Sequence, residues 1–90
     1  MAKVVWSRSA LADLDDIASH IARDNLSAAV RISEALWMAG ESLADHPNRG
    51  RLAASGLREL VTVRPYILRY RVSVKRVLVV QIRHGARRPG

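Results

Sequence analysis

Between Arg58 and His84 the chain contains three apolar, β-prone runs, RELVTV (58–63), YILRYRVSV (66–74) and VLVVQIRH (77–84), each separated from the next by only two residues. A link that short cannot hold a crossover, so consecutive runs must lie side by side as antiparallel strands. Side chains alternate across a strand. In the second run Tyr66, Leu68, Tyr70, Val72 and Val74 therefore share one face, and Ile67, Arg69, Arg71 and Ser73 the other. In the third, Leu78, Val80, Ile82 and His84 alternate with Val77, Val79, Gln81 and Arg83. One face is expected to pack on helices while the other displays Arg69, Arg71, Gln81 and Arg83. The Val74-Lys75-Arg76 turn has no Gly or Asn, so local chemistry fixes this register least.

The first half supplies the cover for such a sheet. Residues 2–6 (AKVVW) form a short β-prone run. Ser7 or Ser9 then offers an N-cap to a helix over 8–24, in which Leu11, Leu14, Ile17, Ala18 and Ile21 recur at helical spacing and Asp13, Asp15 and Asp16 lie early enough to suit the dipole. Asp24-Asn25 interrupts the pattern. Ser27 can cap a second helix carrying Ala29, Ile32, Leu36, Ala39 and Leu43, and Pro47 closes it. Residues 46–56 lack periodicity and contain Gly, Pro and Asn, which makes them a connection long enough to carry function. The fold class is α+β: an N-terminal strand, an α-helical hairpin, then a three-stranded antiparallel meander, in a single domain spanning 1–90.

A chain of 90 residues, 49% of them hydrophobic, can bury about 60–65% of its unfolded surface, so its own core gives modest stability. With no cysteine it can form neither a disulfide nor a Cys-ligated metal site. No run approaches the roughly 18–20 apolar residues of a membrane span, and the N-terminus has no apolar signal-peptide core. The expected setting is soluble, intracellular and cytoplasmic, with no membrane contact.

Charge is divided unevenly along the chain. Residues 1–57 hold 6 Lys and Arg against 7 Asp and Glu (net −1), while residues 58–90 hold 9 against 1 (net +8). A charged face can simply be solvated and resist edge pairing. Such a face usually mixes both signs, however, and here Glu59 is the only acid. Cations placed on a sheet call for an anionic partner, a nucleic acid or an acidic protein segment, and the planar Arg fork suits carboxylate or phosphate. His20 and His46 read as structural residues on or at the end of helices. His84 lies among Arg83, Arg87 and Arg88, where an imidazole can be either structural or a general base. The histidines lack metal-ligand spacing, and the glycines form no nucleotide-binding loop, so neither metal nor cofactor is expected. Trp6, Trp37, Tyr66 and Tyr70 fall on apolar positions, which assigns them to the core.

Ala12-Asp13-Leu14 with Ile17, the loop from Pro47 to Gly50-Arg51, Arg58-Glu59-Leu60, Pro65-Tyr66 leading to Tyr70-Arg71-Val72, and His84-Gly85-Ala86-Arg87 occur in an order and spacing that resemble the RelE/ParE superfamily of small bacterial toxins. The resemblance spans nearly the whole chain. It implies the toxin of a type II toxin–antitoxin system, held inactive by a ParD-like antitoxin whose N-terminal part binds operator DNA, so that the toxin meets that DNA only through its partner. ParE-like members poison DNA gyrase and block replication without chemistry of their own. RelE-like members cut mRNA on the ribosome and often use a Tyr or His near the C-terminus. Here no Tyr follows Tyr70, which favours the ParE-like branch. No catalytic residue is assigned on that branch; on the endoribonuclease branch the candidates are Arg69, Arg71, Arg83 and His84. An acidic antitoxin segment is expected on Arg69, Arg71 and Arg83. The target is expected on the cationic loop with Arg49 and Arg51 and on the strand end with His84, Arg87 and Arg88. A third possibility, a plain nucleic-acid-binding module, would require aromatic side chains among the basic positions.

Overall fold

A computed structural model of the protein describes residues 2–85, so Arg87 and Arg88 lie outside the described residues. Strand β1 (Lys3–Trp6) leads into helix α1 (Arg8–Ala22) and helix α2 (Leu26–Glu41), and α2 runs on into a 3₁₀ turn (Ser42–Ala44). Strands β2 (Arg51–Leu52), β3 (Arg58–Leu60), β4 (Tyr66–Val72) and β5 (Arg76–His84) follow, with a second 3₁₀ turn (Ala54–Gly56) between β2 and β3. They form one five-stranded sheet in the order β1-β5-β4-β3-β2. β1 is parallel to β5, and every other pair is antiparallel. The α+β class and the antiparallel meander thus hold, and the N-terminal strand joins the far side of the same sheet.

Both helices cover one face. Ala10, Leu36, Ala39 and Leu43 pack against Leu60, Leu68, Tyr70, Val77, Val79 and Ile82, with Trp6, Leu14, Ile17, Ile21 and Ile32 around them. Ser7 caps α1 by accepting a hydrogen bond from the Ala10 N–H (3.0 Å). For α2 the cap is Asn25, whose side chain accepts from the Ala28 N–H (2.9 Å), and not Ser27; both are good capping residues, and the tight α1–α2 link places the earlier one. Gly40 permits a close approach, because a Cβ there would lie 2.3 Å from the Trp6 ring. Trp6 in turn stacks on Trp37, with centroids 4.8 Å apart, and donates from Nε1 to Glu41 (3.0 Å).

Two corrections concern β5. The link before it lies earlier than expected, with β4 ending at Val72: Ser73 N donates to the Arg76 carbonyl (2.9 Å), and β5 begins at Arg76 with Val72 opposite Val77. Further on, Arg69 pairs with Gln81 but Tyr70 pairs with Val79, which leaves Val80 as the extra residue of a β-bulge. The alternation across β5 therefore breaks. Val77 and Val79 face the core before the bulge, and Ile82 and His84 face the helical side after it, while Leu78, Gln81 and Arg83 lie toward the outer face. The start of α1 serves this distorted edge. Ser7 Oγ donates to the Val80 carbonyl (2.8 Å), and Asp13 accepts from the Ile82 N–H (2.9 Å). Asp13, expected to act on the helix dipole, instead satisfies a sheet amide, and no acid occupies the first turn of α1.

The 46–56 connection is also more ordered than expected. It contains β2, and the buried Tyr70 hydroxyl anchors it by donating to the Pro47 carbonyl (2.8 Å) and accepting from the Gly50 N–H (2.7 Å). Arg58 donates to the Gly50 carbonyl (2.7 Å). Replacing Tyr70 with Phe strands two backbone groups at a cost of about 1–3 kcal/mol. Urea denaturation of Tyr70→Phe is expected to give a lower midpoint at an unchanged slope, and an unchanged midpoint would mean that the loop does not depend on this hydroxyl.

Candidate functional site

The uncovered face of the sheet gathers its charges around one carboxylate. Strand register places Arg51 opposite Glu59, Glu59 opposite Arg69, and Arg69 opposite Gln81, a row crossing four strands. Arg83 stands one step away, opposite Ile67, and the bulge turns it toward the same row. Glu59 Oε1 lies 3.6 Å from Arg51, and Oε2 lies 3.3 Å from Arg69 and 3.8 Å from Arg83. Arg69 also donates to Gln81 Oε1 (2.7 Å).

Burial differs sharply within the cluster. Glu59 is only 8% exposed although no layer of structure covers this face, because the arginine side chains cover it. The Arg69 and Arg83 side chains are 22% and 36% exposed, against 78% for Arg51. Among the described residues the buried Nε atoms of Arg69 and Arg83 have no hydrogen-bond partner. Three cations on one anion leave a surplus of two positive charges held on a rigid support. Arg71 is exposed on the same face, opposite Leu78, and forms no ion pair among the described residues.

His84 belongs to different surroundings. Its ring meets Tyr66 edge-on with centroids 5.5 Å apart, and the two help line a cleft of about 440 Å³ with Asp16, Ile17, Ser19, His20 and Arg23. Arg83 and His84 are consecutive in a strand and project to opposite sides. The structure thus brings Arg69 and Arg83 together, leaves Arg71 beside them, and puts His84 across the sheet. Arg49 donates to Ser42 (2.9 Å), so it is tied to the end of α2, whereas Arg51 joins the Glu59 row. Sequence reasoning missed Glu59 as the centre of the arginines, although its being the only acid in the basic third was the available signal. The sharing of one cleft by His20 and His84 left no local signal, since it depends on how α1 packs on β5.

Among the described residues no group of His, Cys, Asp and Glu side chains could hold a metal ion, and no helix is long and apolar enough to cross a membrane.

Residues 4–89 match the family model of the ParE toxin of type II toxin–antitoxin systems, parDE. The chain belongs to this family. Toxin RelE2 of Caulobacter vibrioides is 51% identical over 87 residues, a stretch covering 97% of this chain and 99% of that relative. A solved chain from the chromosomal ParDE toxin–antitoxin system of P. aeruginosa shares the fold with a TM-score of 0.83 at 26% identity, over 93% of this chain and 96% of its own. Membership of a ParDE-type system implies an antitoxin partner for this ParE-family toxin.

The unequal burial fixes the expected energetics of the arginine row. A double-mutant cycle on stability is expected to give a coupling of about 1–2 kcal/mol for Arg69 with Glu59, and less than about 0.5 kcal/mol for the largely exposed Arg51 with Glu59. Equal couplings would contradict the difference in burial.

Proposed function

We propose that this ParE-family chain inhibits DNA gyrase, blocking replication in the cytoplasm, and is neutralised by a cognate ParD-like antitoxin. The observation that carries the choice of branch is the placement of His84. An endoribonuclease site needs a proton-transferring group and phosphate-binding cations around one scissile bond. Arg69 and Arg83 lie on the uncovered face while His84 lies with Tyr66 and His20 on the helical side. An inhibitor acting by contact needs no such convergence.

In this reading Arg69, Arg71 and Arg83 receive carboxylates of an acidic antitoxin segment, and operator DNA is reached only through the antitoxin. Gyrase is met by Arg49 and Arg51, together with His84, Arg87 and Arg88 at the C-terminal end. A ribosome-dependent mRNA endoribonuclease is the second reading, favoured by the name RelE2 carried by the 51% identical relative.

Inducing the protein alone in bacteria and following thymidine and methionine incorporation separates the two. DNA synthesis is expected to stop before translation; translation stopping first would overturn the gyrase reading. For the antitoxin face, reversing Arg69 and Arg71 to Glu is expected to weaken capture of the co-expressed antitoxin by at least about 2–3 kcal/mol in calorimetry. Unchanged affinity would remove those arginines from the interface.

A further inference from the structure

We infer that Glu59 is the positioning residue of an anion-receiving surface, holding the Arg69 and Arg83 guanidiniums in place for the carboxylates of a partner segment. This rests on the reading that Arg69, Arg71 and Arg83 form the face that takes an acidic partner.

An Arg–Glu pair that served only the fold would match one cation to one anion and satisfy its polar atoms. At Glu59 three arginines share one carboxylate; Arg69 Nε faces Glu59 Oε2 at 3.3 Å without making a hydrogen bond, and Arg83 Nε is buried with no hydrogen-bond partner among the described residues. The cluster is short of anionic acceptors. Its cations also arrive from three strands, β2, β4 and β5, and Arg83 reaches the row only because of the bulge. Among the described residues, the single group that pairs with all three is Glu59. Gln81 fixes Arg69 from the other side through its amide oxygen.

Free arginine side chains sample many rotamers, and ordering them on binding costs affinity; a guanidinium already held in place avoids that cost. Glu59 is short, buried and set on β3, so it can restrain Arg69 and Arg83 while their exposed portions remain open to solvent. The occupant suited to this surface carries carboxylates interspersed with apolar side chains. Ile67 lies opposite Arg83 and the exposed Leu78 opposite Arg71, so apolar positions adjoin the cations along β4 and β5.

The inference fixes the sign of a substitution effect. Glu59→Gln removes a negative charge from beneath the arginines, so bulk electrostatics alone would make an acidic ligand bind more tightly. Loss of positioning makes it bind more weakly.

The test uses the full chain and a synthetic peptide in which glutamates alternate with leucines, titrated by calorimetry against wild type, Glu59→Gln, Glu59→Asp and the double variant Arg69→Glu/Arg71→Glu. Thermal melts establish that each variant is folded, and the Arg Nε–H resonances are followed by NMR. The expected result for Glu59→Gln is affinity lower by about tenfold, equivalent to about 1.4 kcal/mol, with the Arg69 and Arg83 Nε–H signals collapsing into the exchanging arginine envelope. Glu59→Asp keeps the charge and is expected to recover most of the affinity. Equal or tighter binding by a folded Glu59→Gln, while the double arginine variant binds poorly, overturns the positioning role and leaves the arginine face intact. Unchanged binding by the double arginine variant overturns the underlying reading itself. Should Glu59→Gln not fold, Glu59→Asp with dispersed Nε–H signals lost and affinity unchanged likewise overturns the role.

Discussion

The bulge at Val80 is the constraint on which the rest of the molecule depends. β5 is bonded to β1 on one side and to β4 on the other, and the buried side chains of both helices pack on this part of the sheet. An unbroken β5 would carry Val77 and Val79 on the same face as Gln81 and Arg83, driving a guanidinium toward the helices. One inserted residue resolves the conflict, because Val77 and Val79 stay in the core, Ile82 takes up the core position beyond, and Arg83 is released to the uncovered face. The distortion leaves backbone groups to satisfy, and Ser7 and Asp13 at the start of α1 accept that task. Strand irregularity, helix placement and surface charge are thus a single arrangement.

Much of this was legible in the residues, and the unreadable parts have physical reasons. The two helices follow from recurring Leu, Ile and Ala, and the meander from links too short to cross over. Tyr70 on the core face follows from alternation within β4, which is regular. The bulge does not, because Val77 through Val80 includes four consecutive apolar residues and so contains no phase information. β2 is only two residues long and is stabilised by pairing with β3, so no propensity marks it. Asn25 and Ser27 are chemically equivalent as caps, and only the geometry of the helical link separates them.

Of the candidate site, the arginines were legible as a charge excess on alternating positions, whereas their organisation around Glu59 was not. Ion-pair partners are set by cross-strand register: Arg51 and Arg69 meet Glu59 through the β2–β3 and β3–β4 pairings, while the position of Arg83 rests on the Ser73–Arg76 turn and the bulge, neither of which has a sequence signature. His84 illustrates the same limit. Its neighbours in sequence are cations, yet its neighbours in space are Tyr66 and the polar side of α1, because adjacent strand residues belong to opposite faces.

The parallel pairing of β1 with β5 has a consequence for the order in which the molecule can come into being. Lys3 lies opposite Arg76 and Trp6 opposite Val79, so β1 has no partner until β5 appears. The helices likewise lack the surface that buries their apolar stripes until β4 and β5 exist. Closure over so long a separation is entropically demanding and slow relative to local structure. The nascent chain therefore cannot assemble its sheet, or the arginine row that spans it, before β5 has been made. A harmful activity carried by this fold is withheld by topology until β5 has been made, an interval in which an antitoxin can already be at hand.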